Sequence, residues 1–99
     1  MRESSEEVRA RPGEAFEVSL AEPAATGHRW QLAEGGDDVT VLDDRYEPPA
    51  RSSGIGGPGR RVIRLRPERP GRHRLRWVLV RPRETDPAAE HRVEVEAAP

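Results

Sequence analysis

The sequence predicts an all-β fold, a β-sandwich of about seven to eight short strands. Apolar and polar residues alternate with a period of two through most of the chain, which is the pattern of half-buried strands. Turn signals that contain Pro or Gly separate the alternating runs, and no apolar stripe at helical spacing occurs. At 99 residues the chain is expected to form one domain over 1–99, with an ordered core over about 6–97.

The strands can be placed by this alternation. Phe16, Val18 and Leu20 share one face of the first clear run, and Trp30 and Trp77 are in phase with apolar neighbours, so both are expected in the core. Seven short strands in a chain of this length fit an immunoglobulin-like β-sandwich. The predicted strands are 6–10 (a short edge strand), 14–20, 28–33, 38–43, 61–66, 72–80 and 91–97.

Composition excludes several classes of protein. Cysteine is absent, so disulfides, thiolate metal sites and a Cys nucleophile are excluded. No apolar run approaches the roughly 18 residues of a membrane helix, and the start, MRESSEEVRA, has no apolar signal-peptide core. We therefore expect a cytoplasmic protein, or a periplasmic or secreted one if an export signal was trimmed. All 17 basic residues are Arg, and Lys and Asn do not occur, which indicates a GC-rich, bacterial genome.

The charge is unevenly distributed along the chain. Residues 1–50 carry 5 Arg against 12 acidic residues, whereas residues 51–83 carry 11 Arg against a single Glu. Such a basic block is compatible with binding to a nucleic acid or another polyanion. However, no aromatic residues are interleaved among the outward Arg residues to stack on bases. The favoured interpretation pairs Arg strands 60–66 and 72–76 with Glu strands 14–18 and 92–96.

No catalytic or cofactor-binding arrangement is apparent, so we expect neither an enzyme nor a cofactor or metal. His28, His73 and His91 lie in the apolar phase of their strands, where satisfied core or boundary residues are expected, although His73 and His91 leave a two-His metal site open. The run Gly54-Ile55-Gly56-Gly57 resembles an anion-binding loop. A strand follows it instead of the helix that such loops need, which argues against a nucleotide site.

Three loops have distinctive sequences: 22–28 (EPAATGH), 51–60 (RSSGIGGPGR) and 81–87 (RPRETDP). Connections in a sandwich alternate between its two ends, and these loops are each separated by two strands. All three are therefore expected at the same end, where a rigid sandwich presents a binding edge.

The loop sequences carry a family resemblance. Residues 23–30 keep Thr26, Gly27 and Trp30 of an Asn-Pro-Thr-Thr-Gly-aromatic-x-Trp motif, and Gly54-Ile55-Gly56-Gly57 matches Gly-x-Gly-Gly. Further along the chain, Arg69-Pro70-Gly71 and the first two residues of Arg81-Pro82-Arg83 also match. In order and spacing, over about 13–97, the set resembles the chagasin-type inhibitors of papain-like cysteine peptidases.

This resemblance implies a reversible inhibitor that blocks the active-site cleft of a papain-like cysteine peptidase. The first loop would cover the catalytic Cys, the glycine loop would lie along the cleft, and the third loop would grip the other side. Glycine permits the close backbone approach and positive φ that a narrow cleft demands. The residues implied to bind the peptidase are Ala25, Thr26, Gly27, Gly54, Ile55, Gly56, Gly57, Arg81, Pro82 and Arg83.

The chain also departs from the family pattern. Pro23, Ala24 and Ala25 replace the usual Asn, Pro and first Thr, His28 replaces the aromatic residue, and Arg83 replaces a Trp. These departures bear on potency and on the choice of target. Two alternatives therefore stay open: a non-inhibitory immunoglobulin-like binding module, and an Arg-rich surface that binds polyanions. The partner expected from the resemblance is a peptidase, bound by a monomer, with no membrane and no nucleic acid involved.

Overall fold

The computed structural model describes residues 2–49 and 57–99. Seven strands form in that part of the chain, together with one short 3-10 turn, Ala24–Thr26, and none of its helical structure is long or apolar enough to cross a membrane. The strands are β1 Arg2–Ala10, β2 Phe16–Glu22, β3 Arg29–Glu34, β4 Val39–Glu47, β5 Gly59–Pro67, β6 Gly71–Val80 and β7 Ala89–Ala97.

The strands form two sheets whose inner faces enclose one core. One sheet has the order β1-β7-β6-β3 and the other β2-β5-β4. Every pairing is antiparallel except that of β1 with β7, which is parallel. This is the all-β sandwich predicted from the alternation, and its two-sheet arrangement confirms the immunoglobulin-like fold.

Several strands are longer than their sequence signals indicated, and β1 and β4 gain their extra length in polar sequence. The predicted edge strand 6–10 begins at Arg2, because its whole length pairs in register with β7, from Arg2↔Ala89 to Ala10↔Ala97. The predicted strand 38–43 continues to Glu47, because β5 supplies hydrogen-bonding partners beyond a bulge at Leu42. Backbone pairing extends both strands through polar sequence that carries no alternation.

The core lies between the two inner faces. Trp30 and Trp77 are 9% and 2% exposed, which confirms their predicted core positions. Phe16, Val18 and Leu20 face the core together, as their spacing predicted, with Phe16 half-buried at its margin. The buried apolar cluster comprises Val18, Leu20, Trp30, Val39, Ile63, Leu65, Leu75, Trp77, Leu79, Ala89, Val93 and Val95.

The basic block is matched by acidic residues on neighbouring strands. Glu17 pairs with Arg64 across β2 and β5, and across β6 and β7 Arg74 lies opposite Glu94. Arg72 lies opposite Glu96 and donates from Nη1 to Oε1 of Glu94 over 3.0 Å. The predicted cross-strand pairing of opposite charges is confirmed. Each such exposed pair contributes only a few tenths of a kcal/mol, roughly, so its main effect is to balance the charge of the Arg strands.

Candidate functional site

Two of the three distinctive loops emerge at one end of the smaller sheet. Loop 1 (23–28) follows β2, whose last residue, Glu22, pairs with Gly59 at the start of β5. Loop 2 (48–58) joins β4 to β5, and Glu47 at the end of β4 pairs with Arg60. Because the strands are antiparallel, the end of β2, the end of β4 and the start of β5 lie side by side.

Loop 3 (81–88) emerges at the same end from the larger sheet. Arg29, the first residue of β3, pairs with Val80, the last residue of β6. Leu79 pairs in turn with Ala89, the first residue of β7. The start of β3 therefore brings the end of loop 1 next to loop 3, and the prediction that all three loops share one end is confirmed.

Loop 1 is a compact, exposed turn. The backbone N–H and the hydroxyl of Thr26 both donate to the carbonyl oxygen of Pro23, over 3.1 Å and 2.7 Å. Gly27 follows with φ of 80°, a left-handed conformation that glycine adopts without steric cost. His28 then places Nδ1 2.6 Å from the Thr26 hydroxyl oxygen. Ala25, Thr26 and Gly27 are all exposed, so this turn presents small side chains and open backbone.

Loop 3 begins with a tight turn of charged residues. The N–H of Glu84 donates to the carbonyl oxygen of Arg81 over 3.1 Å, with Pro82 and Arg83 between them. Arg83 has a positive φ of 69°, and no other non-glycine residue in the described part of the chain has a positive φ. Pro at the second position and a positive φ at the third are the features of a type II turn. Arg81, Pro82 and Arg83 are exposed at its tip.

An ion pair holds loop 3 together. Nη2 of Arg81 lies 2.6 Å from Oε1 of Glu84. The hydrogen bond from Arg81 and its charge hold the pKa of Glu84 below the ordinary value, and His28 on loop 1 adds a smaller effect in the same direction.

The loops lie close to one another. A Cβ built on Gly27 would lie 4.0 Å from Cδ of Arg81, which places loop 1 beside loop 3. Loops 1 and 2 share an apolar depression, to which loop 1 contributes Ala25 and Thr26 and loop 2 contributes the half-buried Gly57. The other loop 2 residues predicted from the motif, Gly54, Ile55 and Gly56, lie outside the described residues.

Beneath loops 1 and 2 lies a buried ion pair that the sequence analysis missed. Glu22 is 1% exposed, and its Oε2 receives hydrogen bonds from Nε and Nη2 of Arg61 over 3.1 Å and 2.8 Å. Nη1 of Arg61 donates to Oδ1 of Asp44 over 3.2 Å. Burial opposes the charge on Arg61, but the Glu22 and Asp44 carboxylates outweigh it and raise its pKa.

A sequence signal for this pair did exist. Arg61 is in phase with Ile63 and Leu65, and Glu22 is in phase with Leu20, so both charges stand at core-facing positions. The sequence analysis placed Glu22 in the first loop, whereas it is the last residue of β2.

The histidines do not form a metal site. His73 and His91 pair with Val95 and Trp77, which puts them four residues apart along β7, or roughly 13 Å. His91 lies 2.7 Å from the Ser4 hydroxyl and 2.9 Å from Oε1 of Glu6, which ties β1 to β7. The two-His alternative is therefore wrong, and no metal-ligating cluster of three or more side chains occurs among residues 2–49 and 57–99.

The comparisons with known proteins agree with this architecture. The sequence profile described as "Chagasin family peptidase inhibitor I42" matches residues 9–97, and no curated protein matches the chain in sequence.

Several solved structures share the fold at low sequence identity. The cysteine protease inhibitor EhICP2 from Entamoeba histolytica has a TM-score of 0.79 and 20% identity, over 98% of this chain and 95% of that one. PbICP-C, solved in complex with falcipain-2, has a TM-score of 0.69 and 17% identity, over 98% and 90% of the two chains. Leishmania mexicana ICP has a TM-score of 0.68 and 21% identity, over 96% and 90%.

The family profile covers nearly the whole sandwich and all three loops at its end, from residue 9 to residue 97. The chain belongs to the chagasin family of peptidase inhibitors, which are inhibitors and not enzymes.

Proposed function

We propose that this chain is a reversible inhibitor of papain-like cysteine peptidases that blocks the active-site cleft with loops 1, 2 and 3. The observation that supports this most directly is the convergence of the three loops at one end of a rigid sandwich. Family membership supports it independently, as does a structural neighbour that was solved bound to falcipain-2.

Each loop has its own role in this proposal. Thr26 and Gly27 would cover the catalytic Cys of the peptidase, because the exposed turn presents backbone with little side-chain bulk. Loop 2, through Gly54, Ile55, Gly56 and Gly57, would lie along the cleft. Arg81, Pro82 and Arg83 would contact the other side of the cleft, with Ala25 at the edge of loop 1. A preformed surface loses little conformational entropy on binding, which favours affinity.

The test is a titration of papain, and then of cathepsin L, with the purified chain while cleavage of a small fluorogenic peptide is followed. We expect competitive inhibition at nanomolar to micromolar concentrations. If neither peptidase is inhibited at high micromolar concentration, the function is that of a non-inhibitory binding module on the same fold.

The role of loop 3 has its own test. Arg83 stands where the family carries Trp, so Arg83→Trp is expected to tighten inhibition by adding apolar contact area at the cleft. The substitution leaves the positive φ at this position as it is, so the turn is no more strained with Trp than with Arg. An inhibition constant that is unchanged or larger in Arg83→Trp would count against a role for loop 3 at the interface.

The polyanion alternative loses support from the pairing of charges across the strands. Arg72 and Arg76 on β6, for example, lie within salt-bridge distance of Glu94 on β7 and Glu34 on β3. We further propose a bacterial source, on the ground that all 17 basic residues are Arg, and a single-domain monomer as the active form.

A further inference from the structure

The inner face of the smaller sheet changes character towards the loops. Over most of its length this face is apolar, with Leu20 and Ile63 buried in the core. At the loop end the core-facing positions of β2 and β5 carry Glu22 and Arg61 instead, 1% and 7% exposed. The core is therefore closed by a charged layer directly beneath loops 1 and 2.

Glu22 joins the two ends of loop 1. It is the last residue of β2, and its Oε1 accepts a hydrogen bond over 2.8 Å from the backbone N–H of Trp30, the second residue of β3. β2 and β3 belong to different sheets, so this bond spans the sandwich. A second bond, from Nε1 of Trp30 to the carbonyl oxygen of Ala21 over 2.8 Å, closes the same gap. These two bonds fix the distance between the end of β2 and the start of β3, which are the two ends of loop 1.

Arg61 connects this closure to the base of loop 2. Its guanidinium binds the Glu22 carboxylate with two nitrogens and reaches Asp44 on β4 with the third. It also lies over the ring of Tyr46, 5.8 Å from the ring centroid, one residue before the end of β4. Arg61 itself stands two residues after the start of β5, where loop 2 ends. One guanidinium therefore links the start of loop 1 to both ends of loop 2.

Stability alone does not account for charges at these positions. Replacing a buried ion pair by apolar residues of similar volume is often neutral or stabilising, because desolvation offsets the attraction between the charges. Apolar contacts are also nondirectional, whereas a guanidinium bound to carboxylates through several hydrogen bonds fixes both distance and orientation. We therefore interpret the charged layer as fixing the positions of the loop ends relative to one another.

We propose that Glu22 and Arg61 are positioning residues of the inhibitory end, which hold loop 1 and the two ends of loop 2 in the arrangement that presents them to the peptidase cleft. This inference rests on the proposed function. Neither residue needs to touch the peptidase, since both act through the backbone of the loops they anchor.

The test compares Arg61→Met with two controls in the full chain. Arg66→Met removes another ion-paired Arg from the same strand, where Arg66 lies 2.7 Å from Glu68 at the end away from the loops. Val95→Ala removes two methyl groups from a fully buried core residue, roughly 20 Å along β7 from loop 3. Inhibition of papain is measured well below the lowest melting temperature of the set, so that every variant is folded.

We expect Arg61→Met to raise the inhibition constant by about tenfold or more, through loss of loop pre-organisation. Glu22→Gln is expected to act in the same direction, and Arg66→Met to stay within about twofold of wild type. Val95→Ala should lower the melting temperature at least as much as Arg61→Met yet leave inhibition nearly unchanged. Equal loss of inhibition in Val95→Ala and Arg61→Met would overturn the positioning role, as would wild-type inhibition by Arg61→Met.

A second readout separates this inference from the proposed function. Nitrogen-15 relaxation of the Thr26 and Gly27 amides is measured without any peptidase. We expect these amides to be more mobile in Arg61→Met than in the wild-type chain, and as mobile as in the wild type in the two controls. If the wild-type chain inhibits neither papain nor cathepsin L, the proposed function fails, and the relaxation data still decide whether Arg61 positions loop 1. Unchanged relaxation in Arg61→Met would refute that positioning.

Discussion

The hydroxyl of Thr26 and the imidazole of His28 are hydrogen-bonded, with 2.6 Å between Oγ1 and Nδ1. The same hydroxyl lies 2.7 Å from the carbonyl oxygen of Pro23, which can only accept. A hydroxyl carries one proton, so that proton belongs to the bond with Pro23, and Nδ1 of His28 must be the donor in the other bond. His28 therefore stabilises the turn of loop 1 through this hydrogen bond.

This donor assignment predicts the tautomer of His28. At a pH where the ring is neutral, we expect the Nδ1–H form, detected by long-range proton–nitrogen correlation of the imidazole. Thr26→Val keeps the shape of the side chain but removes the acceptor, so the preference for this form should disappear. Finding the Nε2–H form in the wild-type chain would mean that the hydroxyl donates to His28 and that the assignment is wrong.

The conformation of Arg83 predicts a stabilising substitution. Its φ of 69° is unfavourable for a residue with a Cβ, whereas glycine adopts it freely. Allowing for the greater freedom of glycine in the unfolded chain, Arg83→Gly is expected to raise the free energy of unfolding by about 0.5–1 kcal/mol. Denaturant unfolding measures the change.

The matched control is Arg11→Gly, an exposed Arg whose φ is not positive. There the added freedom of glycine is not offset by any relief of strain, so the variant should be slightly less stable than wild type. If both variants change stability in the same direction, the strain at Arg83 does not contribute.

The sequence predicted those parts of the fold that burial imposes on it. Phe16, Val18 and Leu20 alternate because one face of β2 meets the core and the other meets water. The first residues of β1 were not predicted as a strand, because they are polar on both faces. Their backbone hydrogen bonds to β7 define this part of the strand. A pattern of side chains cannot report a strand whose stability comes from its neighbour.

The candidate site was predicted in its loops but not in its base. The motif residues of loops 1 and 3, such as Thr26 and Arg81, were predicted from the resemblance to the family's loop motifs, and the structure places both in exposed loops at one end of the sandwich. Glu22 and Arg61 were missed because a charged residue is ordinarily an outward residue. Their burial depends on a partner 39 positions away in the chain, and nothing in the local sequence of either residue identifies that partner.

The Arg81–Glu84 pair predicts a pH dependence for loop 3. The hydrogen bond from Arg81 lowers the pKa of Glu84 from its ordinary value of 4.5. The pair is therefore fully formed above pH 4.5 and is lost as the pH falls through the lower value of the folded chain. A carboxyl titration followed by NMR should place the Glu84 midpoint below 4.5.

Arg81→Gln tests the cause of that shift. Without the guanidinium the Glu84 pKa should return towards its ordinary value. Glu68 serves as an internal reference in the same titration, because hydrogen bonds from Arg66 and Thr40 lower its pKa independently of loop 3. A Glu84 midpoint that does not move in Arg81→Gln would show that another group sets it.

The close packing of Gly59 predicts a large loss of stability from a single methyl group. A Cβ at this position would overlap the phenol of Tyr46 and lie 2.6 Å from the carbonyl oxygen of Glu47, so the side chain and the backbone at the end of β4 would both have to move. Gly59→Ala is therefore expected to lower the free energy of unfolding by about 1–3 kcal/mol. Gly36→Ala is the control, because its Cβ would meet only Leu32 Cδ2 at an ordinary 3.8 Å. Chemical denaturation of both variants gives the comparison. If Gly59→Ala is as stable as Gly36→Ala, Tyr46 and the end of β4 can move aside without lowering the free energy of unfolding.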